Sequence, residues 1–219
     1  MNIVLITSII DPPNKHLSYT SMRSYYTSQE RFEQTKKTIE TVRKYIPNIK
    51  ILLVECSYLN EEQLKYFINY CDYFINLIDD DEKTNACHSI SKSLGEGTMT
   101  IAGIEYLQDI DYEHLFKLSG RYWLSEDFNY EQYNNPYINI KINDINDAQN
   151  VNTCFYKIPK NTAVQFCKYL ESNYNMMYES IGYEFIFGNF LTSIQNIKRV
   201  NKLGVEGYVS VAVNEFVKI

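Results

Sequence analysis

Polar residues able to grip an anion or move a proton gather at four points of this sequence, each just after a short apolar run. They are Thr7-Ser8, Glu55-Cys56-Ser57, Asp79-Asp80-Asp81 and Ser119-Gly120-Arg121-Tyr122. If the runs are strands of one open α/β sheet, these points meet at one edge, because ligands of such sheets bind beyond the carboxyl ends of the strands. Several other chemistries lack their residues. No G-x-G-x-x-G follows the first run, and no P-loop or G-x-S-x-G elbow occurs. The histidines are His16, His88 and His114, none in a setting that suggests a Ser/His/Asp arrangement. Five cysteines, with no C-x-x-C pair and no histidine at metal spacing, argue against zinc and against a disulfide framework. Free thiols imply a reducing compartment.

The elements that must position those residues are legible in the pattern. Ile3 to Ser8 is a continuous apolar run, as in a strand buried on both faces. A polar loop from Asp11 to Tyr26 follows, long enough to suggest a functional role. Thr27 and Glu30 form a capping box before Phe32, Thr35, Ile39, Val42 and Ile46, which recur at helical spacing up to Pro47. Ile49 to Val54 is the second strand, Asn60 caps a second helix, and Tyr73 to Ile78 is the third strand. A third helix is expected from Gly95 to Leu107, then a fourth strand from His114 to Leu118. This alternation implies a parallel sheet with helices on both faces. In the second half, Ile138, Ile140 and Ile142 predict a half-buried strand, and Thr153 to Ile158 another. Helices are expected over 160–170 and 180–194, and Val209, Val211 and Val213 predict a final strand. The expectation is one α/β domain over 1–219, with a nucleotide-binding half at 1–124 and an acceptor half with a mixed sheet at 125–219.

Composition narrows the partners. The chain has 219 residues and a net charge of −6. Its nearest basic cluster, Lys36, Lys37, Arg43 and Lys44, is interleaved with Glu33 and Glu40 on one helix, so nucleic acid is not an expected partner. No stretch reaches membrane-spanning length, and no basic segment precedes the first apolar run, so the expected location is the cytoplasm of a bacterial cell or virus-infected host.

Four stretches carry a family resemblance: Ile3–Ser8, Ile51–Ser57, Ser91–Gly97 leading into a helix, and Phe116–Leu124. Their order resembles the Rossmann-like GT-A glycosyltransferase fold. The chain also resembles small viral and bacterial sugar transferases with S-x-R-S, E-R-x-x-Q-T, S-K-x-x-G-E and F-K-x-S-G-R-Y segments, here Ser21–Ser24, Glu30–Thr35, Ser91–Glu96 and Phe116–Tyr122. The likeness spans nearly the whole chain. It implies transfer of a sugar from a nucleotide-sugar donor to a glycan, lipid-linked or protein acceptor.

The resemblance also implies roles. Thr7, Ser8, Arg23, Arg31, Glu55, Ser57, Lys92, Glu96, Ser119 and Gly120 become candidate donor-binding residues. Glu55 matches the acidic strand-end residue that commonly contacts the base; alternatively it is a carboxylate satisfied by nearby backbone N–H groups. GT-A enzymes usually place a metal-binding D-x-D where the fourth strand ends, and here Ser119-Gly120-Arg121 stands instead. Arg121, helped by Lys92, is then the candidate to neutralise a leaving diphosphate, because a guanidinium can fork onto phosphate oxygens. No cofactor would be required. A literal D-x-D occurs one strand early, so a divalent cation at Asp79 and Asp81 is the minor alternative to a solvated loop. Glu179, at the expected start of a back-half helix, is the candidate acceptor base, with Glu184 next in line. Two rival functions remain open: a nucleotidyltransferase, against which the glycine-free stretch 11–24 counts, and a non-catalytic sugar- or nucleotide-binding module.

Overall fold

A computed structural model describes residues 1–144, 147–209 and 215–219. Along the front half run β1 (Asn2–Ser8), α1 (Ser28–Tyr45), β2 (Ile49–Glu55), α2 (Glu61–Tyr70), β3 (Tyr73–Asn76), α3 (Asp81–Cys87), α4 (Lys92–Tyr106), β4 (His114–Ser119) and β5 (Tyr122–Leu124). A single 3-10 turn at Tyr130–Gln132 leads to β6 (Ile138–Ile140), β7 (Ile142–Asp144), β8 (Asp147–Val151) and β9 (Phe155–Pro159). Then come α5 (Lys160–Ser172), α6 (Tyr174–Tyr178), α7 (Tyr183–Leu191), β10 (Ile197–Arg199), β11 (Val205–Val209) and β12 (Glu215–Lys218).

The main sheet has the order β10-β6-β9-β4-β1-β2-β3. β3, β2, β1 and β4 are parallel, while β9 runs antiparallel to β4 and to β6. This is the expected parallel front half and mixed back half. Strand side chains alternate between faces. On β1, Ile3 and Leu5 therefore join Leu94 of α4, Phe166 of α5 and Phe187 of α7, whereas Val4 and Ile6 join Phe32 and Ile39 of α1 and Phe67 of α2. Both faces are covered, which is why β1 reads as unbroken apolar sequence. Each fully buried aliphatic side chain stabilises the fold by about 1.5–3 kcal/mol.

Several expectations shift in detail. The capping box of Thr27 and Glu30 on α1 forms as predicted, and Asn60 caps α2 as predicted, with Gln63 completing a capping box there as well. α4 begins three residues before Gly95 because Ser91 caps it, accepting the N–H of Leu94 at 3.2 Å. The predicted alternating strand through Ile138, Ile140 and Ile142 is broken. β6 is buried at all three positions within the main sheet, and β7 leaves it to pair with β8. The helix expected over 180–194 covers only Tyr183–Leu191, preceded by the short α6. Ser180 between them has φ 66°, a left-handed conformation that helix cannot continue through. Val209 closes β11, while Val211 and Val213 lie outside the described residues. β5, not predicted, pairs with β11. All five cysteines are free thiols. No helix among the described residues is long and apolar enough to cross a membrane.

Candidate functional site

The strand ends β1 and β4 meet beneath a cleft, and α1 sets their exit. Thr35 and Thr38 sit one turn apart on its buried face. Their hydroxyls donate to the carbonyls of Gly120 (2.9 Å) and Tyr122 (2.7 Å), while Thr41 accepts the N–H of Leu124 (3.1 Å). The threonines thus fix the backbone that carries Arg121. Gly120 permits the close approach. Its N–H donates to Thr7 O at 2.9 Å, and a Cβ there would stand 3.0 Å from Ser8 Cβ.

Two chambers share a wall formed by Lys92, Glu96, Ser119 and Arg121. The smaller, about 80 Å³, lies over the strand ends. Arg23, Arg31, Lys92 and Arg121 line it, against a single carboxylate, Glu96. The larger, about 310 Å³, is bounded by Tyr19, Ser93, Asn152, Thr153 and Glu184 among others. A chain of net charge −6 therefore concentrates cations where its first strands end.

The cations differ in what they hold. Arg23 donates to the carbonyls of Cys87 (2.7 Å) and Ser89 (2.6 Å), closing the exit of α3. Arg31 donates from Nε to Ile9 O at 2.7 Å and from Nη1 to Ser24 Oγ at 3.2 Å, tying down both ends of the 9–26 loop. Burial, then repulsion from Arg121, pushes its pKa down to about 9. Lys92 keeps an exposed side chain at the mouth. Crowding by protein atoms, then Arg121, lowers its pKa below that of an ordinary lysine. Among the described residues Arg121 Nη1 is buried and has no hydrogen-bond partner. A buried guanidinium donor is costly to leave unpaired, so this nitrogen remains open to an acceptor.

Beneath the cleft lies a buried ion pair that sequence reasoning missed. Lys117, on the sheet's inner face with 0% side-chain exposure, pairs with Glu96 Oε1. It also donates to Ser119 Oγ (2.8 Å) and Thr153 O (3.2 Å), while Thr7 donates to Glu96 Oε1 at 3.2 Å. Although desolvation opposes it, Lys117 holds the Glu96 pKa below the ordinary carboxylate value. The signal was present in His114-Leu-Phe-Lys-Leu-Ser119, since a lysine inside a two-faced buried strand needs a partner.

Of the predicted site residues, Thr7, Ser8, Arg23, Arg31, Lys92, Glu96, Ser119, Gly120 and Arg121 line the cleft together. Glu55 and Ser57 are not among its lining residues. Glu55 is fully buried, and its Oε1 accepts from Ile10 N (3.0 Å), Cys56 N (3.0 Å) and Ser57 Oγ (2.7 Å). Its Oε2 has no partner among the described residues, and burial raises its pKa despite those bonds. Glu179 is exposed at the end of α6 and is not part of the lining, whereas Glu184, in the first turn of α7, is. Thr153 Oγ1 donates to Glu184 Oε1 at 3.3 Å.

The chain matches no family model and no curated protein sequence. Solved structures match it across most of its length. It is similar to a galactosyltransferase, LgtC, solved in complex with donor and acceptor sugar analogs, with TM-score 0.55 and 12% identity over 92% of this chain and 73% of that one. The fold is GT-A. Core-mannan synthase A from Aspergillus fumigatus, solved in a Mn/GDP form, shares it at TM-score 0.54 and 9% identity over 94% of this chain and 74% of that one. So does the glycosyltransferase GlyE of Streptococcus pneumoniae TIGR4, at 0.53 and 10% over 91% of this chain and 45% of that one.

The GT-A comparison raises the question of a metal, and the exit of β4, Ser119-Gly120-Arg121, supplies no carboxylate to hold one. A guanidinium stands where β4 ends, and its free donor asks for an anion. Asp80 instead caps α3, accepting Lys83 N at 3.0 Å, and pairs with Lys83 Nζ at 3.2 Å. Among the described residues no three His, Cys, Asp or Glu side chains come together as a metal site.

Proposed function

We propose that this protein transfers a sugar from a nucleotide-sugar donor to a hydroxyl of a glycan, lipid-linked or protein acceptor, without an obligatory metal. The observation that carries the reading is Arg121 Nη1, buried and unpaired at the GT-A strand end and flanked by Lys92. When the sugar–phosphate bond breaks, its electron pair leaves on a diphosphate oxygen, and the added charge needs a partner already in place. Arg121 and Lys92 together offer two unit charges, the number a divalent cation would carry. The guanidinium forks onto phosphate oxygens. As the new bond to the sugar forms, the acceptor hydroxyl gives up its proton to Glu184, which lines the larger chamber and, unlike Glu96, is not paired with a lysine. Glu179, outside the lining, is the comparison residue.

The experiment is a donor-hydrolysis and transfer assay run with and without a strong chelator. Activity is expected to survive chelation. Arg121→Ala should lose both donor affinity and rate, and Arg121→Lys should recover part, because a point charge lacks the fork. Glu184→Gln should lower turnover strongly with donor binding intact, while Glu179→Gln stays near wild type. Activity abolished by chelator and restored by Mn²⁺ would overturn the metal-free reading and turn attention to Asp79 and Asp81. Binding without any donor turnover would instead indicate a non-catalytic nucleotide- or sugar-binding module.

A further inference from the structure

The Glu96–Lys117 pair has a geometry that structural support alone does not demand. Both partners of Glu96, Lys117 Nζ and Thr7 Oγ1, bond the same oxygen, Oε1. Among the described residues Oε2 makes no hydrogen bond and is not enclosed, and the side chain keeps 16% exposure while lining the cleft. Glu96 lines both chambers, the smaller one over the cationic strand ends and the larger one beside it. Beyond the shared wall, where Lys92 and Arg121 stand, the polar groups of the larger chamber include the uncharged Asn143, Asn152, Thr153 and Ser93, whose buried hydroxyl also has no partner among the described residues, and the acidic Glu184. An ionised carboxylate accepts hydrogen bonds and donates none. Its natural ligand at that wall is a set of hydroxyl donors, and its charge repels a second carboxylate.

We propose that Glu96 reads the sugar of the donor through its free oxygen, that Lys117 is the residue positioning it, and that the donor sugar is a neutral polyol rather than a uronic acid. This rests on the donor reading of the cleft. Lys117 works indirectly: it occupies Oε1, fixes the rotamer, and keeps the carboxylate ionised in a site where desolvation pulls the other way.

The test is calorimetric titration of UDP and GDP against UDP-glucose, UDP-galactose and GDP-mannose. If wild type binds neither diphosphate nor any sugar nucleotide, the donor reading itself falls. If it binds, Glu96→Ala should weaken the preferred sugar nucleotide about tenfold or more, as loss of a charged hydrogen bond does, and leave the bare diphosphate within about twofold. Equal weakening of both, or of neither, overturns the role of Glu96 and leaves the cleft assignment standing. The matching uronate, UDP-glucuronate or GDP-mannuronate, should bind wild type at least about tenfold more weakly than its neutral counterpart, and Glu96→Gln should narrow that gap. Uronate binding equal to the neutral sugar overturns the substrate class. In Lys117→Met, sugar-nucleotide affinity should fall more steeply than in wild type as pH is lowered, because the carboxylate loses the cation that keeps it ionised. A uniform loss at every pH would mean Lys117 is only structural. Should that variant fail to fold, the Glu96 substitutions decide the matter alone.

Discussion

Glu55 and Glu96 are two acids at neighbouring strand and helix ends, and their surroundings push them in opposite directions. Glu96 has a lysine against it, and its pKa falls; Glu55 has only neutral donors on one oxygen and an unpaired second oxygen, and its pKa rises. A carboxyl whose folded pKa lies above its unfolded value, about 4.3, adds stability below that value and loses it as pH rises through the folded one. Glu55→Gln removes this titration. The variant should therefore gain on wild type as pH rises from about 4 through the raised value, measured as the difference in urea midpoints at matched pH. A difference that stays constant with pH would show that Glu55 folds with an ordinary pKa. The same burial explains why a strand-end acid could be read from sequence in two ways: residue type and position are shared by a base-reading carboxylate and a loop-anchoring one, and only the N–H groups of Ile10 and Cys56 distinguish them.

At the scale of elements, α7 is the piece whose placement controls the larger chamber, because it carries Glu184. Its seat is set by Gly188, which packs on the backbone of β8. A Cβ added there would lie 1.8 Å from the Gln149 carbonyl oxygen, so an alanine cannot fit without moving the helix. Overpacking of this kind costs about 1–3 kcal/mol. Gly188→Ala should be destabilised by that amount in urea unfolding. It should also lose turnover more than diphosphate affinity, since the smaller chamber draws its lining from β1, β4, α1, α3, α4 and the loops beside them. Wild-type stability would show that β8 yields instead. By contrast α1 was readable almost to the residue, because its capping box, its apolar spacing and Pro47 are all local signals.

Across the whole molecule, the charge distribution opposes the net charge. An acidic chain gathers four cations around one small chamber, and those cations should make ligand binding sensitive to salt. A diphosphate present at about a hundred times its Kd should stabilise the folded state by about 2.7 kcal/mol. For a chain of this size that corresponds to a rise of roughly 5–10 °C in Tm. The rise should shrink steadily as NaCl is increased from low to molar concentration. A thermal shift indifferent to salt would mean that the strand-end cations do not carry the binding.

What the sequence determined by itself was local and periodic. Apolar runs marked strands buried on both faces, capping residues marked the starts of α1 and α2, and strand-end polar residues marked one edge of the sheet. Those features follow from neighbours within a few residues and from the rule that parallel sheets bind at their carboxyl edge. Tertiary structure alone decided the rest, because each decision was a contact between distant segments. It paired Lys117 with Glu96, left Arg121 Nη1 without a partner, turned Glu55 inward and Glu179 outward, and split the isoleucine run 138–142 between two sheets. A side chain's type states which bonds it can make; only the folded backbone determines which of them are already made and which remain open to a ligand.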